Sequence, residues 1–256
     1  MNLDLEINVI DKYHSPSQIA RVLTESWVNK NMYCPRCGNI CIESFENNRP
    51  VADFYCPACK NEYELKSKDG VLGRKINDGA YRTMIERITS NNNPDFFFMS
   101  YSKYELKVRD LVLIPKHFFV PTIIEARKPL ASTARRAGWV GCNILIDKIP
   151  EQGRIYIVSD GKIVNPNNVI ESVRKSVRLE TKDINHRGWL FDVLNCINNI
   201  SSQSFTLNEV YQYESELFEK HPQNHNVKAK IRQQLQFLRD KGFIEFFGNG
   251  NYRKIL

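Results

Sequence analysis

Residues 50–68 read PVADFYCPACKNEYELKSK, and two kinds of site interleave in them. Cys56 and Cys59 form a C-x2-C pair, half of a metal knuckle. Asp53 precedes the pair; Glu64 and Lys66 follow it. Residues two apart in a strand point to one face, so Glu64 and Lys66 share a face and Leu65 takes the other. The midpoint of 53 and 64 falls between Ala58 and Cys59. A hairpin turning there sets Asp53 opposite Glu64. A metal at its tip then fixes the register, where a slip of one residue would turn a whole set of side chains to the wrong face.

The rest of the cage is upstream. Cys34 and Cys37 (CPRC) precede Cys56 and Cys59 (CPAC) by eighteen residues, within the range of zinc ribbons. Four thiolates complete a tetrahedral zinc site and leave no open position, so Zn2+ here is expected to be structural. Cys41 lacks the two-residue spacing and receives no role. Cys142 (VGCNI) and Cys196 (LNCIN) lie in apolar surroundings and read as small core residues. Seven cysteines, an odd number, follow an acidic N-terminus without a signal-peptide core. Disulfides are therefore not expected, and a soluble cytoplasmic protein is. No apolar run reaches about 18 residues, so no membrane span or membrane partner is expected.

Hydrophobic periodicity predicts an α/β or α+β core. SPSQIARVLTESWVNK (15–30) reads as an amphipathic helix with Ser15 or Ser17 as N-cap and Ile19, Val22, Leu23 and Trp27 on its apolar side. Residues 75–90, with Ala80, Met84, Ile85 and Ile88, read as a second helix. DFFFMSYS (95–102) and LVLIP (111–115) read as buried strands. IYIVSDGKIV (155–164) reads as a hairpin turning at Asp160-Gly161. The polar segment 178–187 marks a boundary, giving domains 1–181 and 182–256. Beyond it come a helix over 189–200, a capping-box signature at Thr206–Glu209, a third helix with Val227, Ile231, Leu235 and Leu238 on one stripe, a stop at Gly242, and a terminal hairpin. Three helices followed by a two-stranded wing is the pattern of a winged helix.

The net charge of +7 and pI near 9.0 suit a polyanion, and the distribution sharpens this. Residues 126–146 hold Arg127, Lys128, Arg135 and Arg136 and no carboxylate, either a phosphate-facing segment or a solvated basic loop. Trp139, next to it, is a candidate aromatic receptor or a core tryptophan. On the third C-terminal helix, Lys228, Lys230, Arg232, Gln233, Gln236 and Arg239 lie off the apolar stripe. They are donors for phosphates and base edges, or else a solvated or protein-binding face. Arg232 and Gln233 are the candidates for base contacts.

Two carboxylates facing each other repel unless a cation sits between them. Hard oxygen ligands with room for water suit Mg2+ or Mn2+. Such an ion polarises a phosphodiester and acidifies bound water. Lys66 can hold or deprotonate that water, or stabilise developing negative charge. Asp53, Glu64 and Lys66 thus follow the pattern of the PD-(D/E)xK nucleases, with Asp53 in an apolar context (Pro50, Val51, Ala52, Phe54, Tyr55) and Glu25 on the preceding helix as a further acid.

Longer strings narrow the choice. FENNRPVADFYC, ELKSK, INDGAY, NNPDFFF, RKPLA, TARRAGW, GCNI, IRQQLQFLRDK and the closing YRK resemble the DpnI-like methyl-directed restriction endonucleases nearly end to end. The resemblance implies a PD-(D/E)xK nuclease core with an inserted four-cysteine zinc site and a C-terminal winged helix. It implies type II, Mg2+-dependent cleavage of double-stranded DNA at GATC when the adenine is N6-methylated, by a monomer in a bacterial cytoplasm. Position by position it assigns catalysis to Asp53, Glu64 and Lys66, magnesium to Asp53 and Glu64, and zinc to Cys34, Cys37, Cys56 and Cys59. One methyl in an apolar pocket discriminates by only about 10–200-fold, so two reading domains would compound the effect. Arg135, Arg136, Trp139, Lys228, Arg232 and Gln233 are the candidate DNA contacts. A non-enzymatic zinc-ribbon and winged-helix regulator is the alternative, but it leaves the two acids and the lysine idle. A nuclease of the same fold with relaxed specificity is the third reading.

Overall fold

The run DFFFMSYS forms a strand, Asp95–Ser102, buried at every position, and the molecule is layered on both sides of it. The structure is a computed structural model that describes residues 1–46, 52–90 and 92–255; Pro50 and Val51 lie outside them. In chain order the N-terminal part comprises α1 (Pro16–Asn31), β1 (Glu43–Ser44), β2 (Phe54–Tyr55), β3 (Glu62–Asp69), β4 (Lys75–Ala80), α2 (Tyr81–Thr89) and β5 (Asp95–Ser102). It continues with β6 (Lys107–Ile114), β7 (Ile124–Ala126), β8 (Gly141–Leu145), β9 (Ile155–Ser159), β10 (Lys162–Ile163) and α3 (Pro166–Val177). The C-terminal part comprises α4 (Ile184–Asn199), β11 (Ser204–Thr206), α5 (Leu207–Tyr211), α6 (Glu214–Lys220), α7 (Val227–Asp240), β12 (Ile244–Phe246) and β13 (Asn251–Lys254).

The main sheet runs β1-β2-β3-β5-β6-β9-β10. Among the described residues only the central β3–β5 pair is parallel; the others are antiparallel. Strand alternation splits β5 between two cores. Phe97, Met99 and Tyr101 join Leu23, Trp27 and Val28 of α1 and Val169 and Val173 of α3 on one face. Phe96 and Phe98 join Met84 and Ile88 of α2 and Ile144 of a small sheet, β4-β8-β7, on the other. The second core continues through Phe118, whose ring stacks on Phe191 of α4 at 4.7 Å, into the C-terminal helices. The fold is the expected mixed α/β core followed by a winged helix.

The helix predicted over 75–90 is corrected. Its first six residues form β4, because Lys75–Asp78 pair with β8 at Leu145–Cys142; only Tyr81–Thr89 is helical. Helical spacing of Ile76, Ala80 and Met84 straddles a strand and a helix. Elements with no counterpart in the sequence reading include β1, β7, β8, β11 and α3. The last carried a legible signal, since Asn165 caps it through the Asn167 N–H and Pro166 opens it. The helix expected over 189–200 starts earlier, at Ile184, inside the segment expected as a boundary. Several local expectations are met. Ser15 precedes α1. Asp160 (φ 48°) and Gly161 (φ 69°) make the left-handed turn between β9 and β10. Thr206 and Glu209 cap α5 reciprocally. Gly242, at φ 76°, stops α7. The wing has a third strand, β11, on the outer edge of β13.

Candidate active site, metal cage and nucleic-acid interface

The ribbon opened by Asp53 is built around its tip. β2 pairs with β3 as Phe54↔Tyr63 and Tyr55↔Glu62. The regular pairing stops at Phe54: the Asp53 N–H bonds the Tyr63 carbonyl at 2.9 Å, so Asp53 lies beside Tyr63 and not in the expected register opposite Glu64. Asp53 Oδ2 accepts the Leu65 N–H at 2.7 Å, so its carboxylate leans onto the strand that bears the other two groups.

The tip carries the cage. The two cysteine turns share one backbone pattern. Gly38 N bonds Cys34 O and Lys60 N bonds Cys56 O, both at 2.9 Å. The donor residue is left-handed in each, Gly38 at φ 82° and Lys60 at φ 61°. Glycine adopts that conformation freely and lysine does not, so the second turn is the more strained. The sulfurs of Cys34, Cys37, Cys56 and Cys59 lie within 4.8 Å of one another. Cys34–Cys59 and Cys37–Cys56 are each 3.6 Å apart. A tetrahedron with Zn–S bonds of about 2.3 Å has edges of about 3.8 Å, so these four sulfurs fit zinc. The buried Tyr63 hydroxyl lies 3.0 Å from Cys34 Sγ. Asn61, two residues past Cys59, donates to fully buried Asp95 at 2.7 Å, tying the cage to the start of β5. Cys41 is exposed, while Cys142 and Cys196 are buried core residues.

Glu64 and Lys66 pair in register with Phe96 and Phe98, which face α2 and the small sheet. That face supplies two groups absent from the sequence motif. Lys66 Nζ lies 2.6 Å from Glu64 Oε1 and 2.5 Å from Asp78 Oδ1 on β4. Arg87 of α2 donates to Glu64 Oε2 at 2.7 Å. Burial alone would lower the Lys66 pKa; the charges of Glu64 and Asp78 outweigh it and raise it, so the lysine is an ammonium at neutral pH. Burial pushes Asp53 up, the Leu65 N–H opposes this, and the charge of Glu64 adds to it. Glu25 of α1 is raised by burial, pairs with Arg21 at 2.7 Å, and feels the charge of Asp53.

The structure thus brings Asp53, Glu64 and Lys66 to one edge of the ribbon, with Asp78 and Arg87 behind them. The chemistry of the donor set fits a hard divalent ion: two oxygen ligands on paired strands and an ammonium alongside. Asp78 lies in INDGAY, inside the segment read as a helix, and reaches the site only through the pairing of β4 with β8. Arg87 carried no signal in the sequence.

The basic segment links β7 to β8 as an exposed loop. Arg135 and Arg136 are exposed and Trp139 is half-buried. The Arg136 guanidinium lies 4.6 Å from the Trp139 ring centroid. On α7, Lys228, Arg232 and Gln233 are exposed. Arg232 donates to the Tyr211 hydroxyl at 2.7 Å, Lys228 pairs with Glu214 at 3.3 Å, and Gln233 accepts from Lys230 at 3.0 Å.

A family model described as the DpnI, Dam-replacing family matches residues 1–182. A second, described as the Dam-replacing HTH domain of the same proteins, matches residues 185–254. The matched regions imply a nuclease and a DNA-binding domain. The chain belongs to the DpnI, Dam-replacing family, a membership that supports a methyl-directed restriction endonuclease.

Proposed function

We propose that the protein is a type II endonuclease that hydrolyses double-stranded DNA at GATC when the adenine is N6-methylated, with Mg2+ at the carboxylates and structural Zn2+ in the sulfur cage. Residues 1–181 cut and residues 182–256 add a second DNA contact, in a monomer. The observation that carries the chemistry is the convergence of three charged groups at one strand: the Lys66 ammonium lies 2.6 Å from Glu64, and the Asp53 carboxylate accepts the N–H of Leu65 between them at 2.7 Å.

Asp53 and Glu64 would hold the magnesium ion, which supplies charge neutralisation at the phosphate and acidified water. Lys66, kept charged by its carboxylate neighbours, stabilises the negative charge that builds on the phosphate oxygens. A permanent ammonium is a poor base, so of the roles open to Lys66 this one fits best. Asp53 is raised by burial and by the charge of Glu64, against the Leu65 N–H and the charge of Lys66. The zinc cage holds the hairpin tip and with it the spacing of the two acids.

For methyl reading, the half-buried Trp139 ring under Arg136 offers an apolar wall beside cations that face phosphates. Arg135 and Arg136 supply backbone contacts in the cutting domain, as Lys228 does on α7, where Arg232 and Gln233 reach for base edges. Each methyl contact contributes about 1–3 kcal/mol, so two domains reading the two strands of a palindrome multiply their discrimination.

Matched plasmids from methylating and non-methylating hosts test the proposal. With magnesium, only the methylated plasmid is cut, into GATC-bounded fragments. Equal cutting of both, or cutting of methylated DNA that lacks GATC, overturns the specificity. Full DNA-dependent function in an Asp53→Asn variant that cuts nothing would favour the non-enzymatic regulator.

A further inference from the structure

Asp78 is the most buried charged group around Lys66, and neither the D…E-x-K spacing nor the roles assigned above include it. Its side chain is 5% exposed, against 13% for Glu64 and 24% for Lys66. It stands at an irregularity in β4, where the pairing with β8 shifts between Asp78 and Ala80. A bulge of this kind re-aims a side chain, and here the re-aimed carboxylate meets the ammonium at 2.5 Å.

The two carboxylates beside Lys66 differ in what else they must do. Glu64 has both oxygens engaged, Oε1 by Lys66 and Oε2 by Arg87. If Glu64 turns to ligate a divalent ion, at least one of these contacts loosens. A lysine held only by Glu64 would then follow it or swing free on its flexible stem. Asp78 approaches from a different sheet, and its contact in the site is the Lys66 ammonium. We propose that Asp78 is a positioning residue that acts through Lys66, holding the ammonium at the reaction site while Glu64 is released to the metal. Without it, Lys66 leans wholly on Glu64 and competes with the ion for the same carboxylate. The inference rests on the nuclease reading.

The test is a double-mutant cycle of Asp78→Asn and Lys66→Met in the full-length, zinc-loaded protein. Three quantities are measured: single-turnover cleavage at saturating Mg2+, affinity for methylated DNA, and calorimetric Ca2+ affinity without DNA. Asp78→Asn is expected to slow cleavage about 10–100-fold, the range for residues that orient metal-site groups, and to weaken Ca2+ binding about tenfold. DNA affinity stays within about twofold. Asp78→Glu, which keeps the charge, recovers part of the rate. In the Lys66→Met background Asp78→Asn changes neither rate nor Ca2+ affinity. Additive effects of the two substitutions would make Asp78 an independent ligand and overturn the proposal. So would unchanged cleavage in a folded Asp78→Asn protein. Should that variant not fold, Asp78→Ser carries the same cycle. A wild-type protein that cuts no methylated DNA sinks the nuclease reading instead, and the Ca2+ titration then decides the role of Asp78 alone.

Discussion

The two ends of the β2–β3 ribbon gather like-charged groups in opposite ways. At the tip, four sulfurs converge within 4.8 Å through two short turns of one design. A bound zinc makes their convergence stabilising, because the free energy of metal binding is free energy of folding. At the other end, burial raises the Asp53 pKa and the charge of Glu64 adds to it, against the Leu65 N–H and the charge of Lys66. Ionised Asp53 works against folding there, even with Lys66 and Arg87 standing on Glu64. The ribbon is thus held by one end and strained at the other. The lesson is that the groups with the chemistry are not those with the stability.

The comparison breaks first at the tip. Removing zinc with a chelator, or substituting Cys56→Ser, is expected to destabilise the N-terminal domain by several kcal/mol; in isolated zinc-finger peptides the metal contributes about 10–16 kcal/mol. Urea unfolding with and without added Zn2+ measures it. Cleavage falls with it, since the hairpin register is lost. An unchanged unfolding midpoint would detach the cage from the acids.

Asp53→Asn touches only the other end. Cleavage is expected to fall at least about 10²–10³-fold, the scale for removing one electrostatic element of an active site, with DNA affinity retained. In zinc-loaded, magnesium-free protein the same variant should unfold at higher urea than wild type at pH 7. The sign follows from linkage. The folded state raises the Asp53 pKa above its unfolded value of about 3.9, so folding prefers the protonated acid. The penalty on ionised Asp53 is absent well below pH 4, grows as pH rises through the unfolded value, and is complete above the folded one. The advantage of Asn over Asp should therefore shrink as pH falls toward 4. An advantage that grows on acidification would contradict the strained end.

Cys41→Ser sharpens the contrast at the small end of the scale. Cys41 is exposed and outside the cage, and its substitution should shift stability by no more than about 0.5 kcal/mol. Two zinc-loaded proteins compared by urea titration settle this.

The same contrast explains what the sequence made legible. The cage was readable because its ligands sit in two four-residue units whose spacing is local. Glu64 and Lys66 were readable because strand alternation puts them on one face, and Asp53 because the knuckle fixes where the hairpin turns. Asp78 and Arg87 were not, because they reach the site from β4 and α2, across long-range pairings that spacing does not encode. The helix assigned over 75–90 hid Asp78, since it treated a strand and the helix after it as one period. The winged helix was legible nearly throughout, its caps and stops being local. The pairing of β4, β7 and β8 was not, because the basic loop between β7 and β8 breaks every short-range pattern.

The strand Asp95–Ser102 has no side open to water, and its side chains alternate between two cores. It lies parallel and in register with the strand that bears Glu64 and Lys66. Neither core can therefore be repacked without tugging on a common beam: a methylene lost beside α1 and a methylene gained beside α2 press on the same backbone. Substitutions in the protein's two interiors must be tuned as a matched pair.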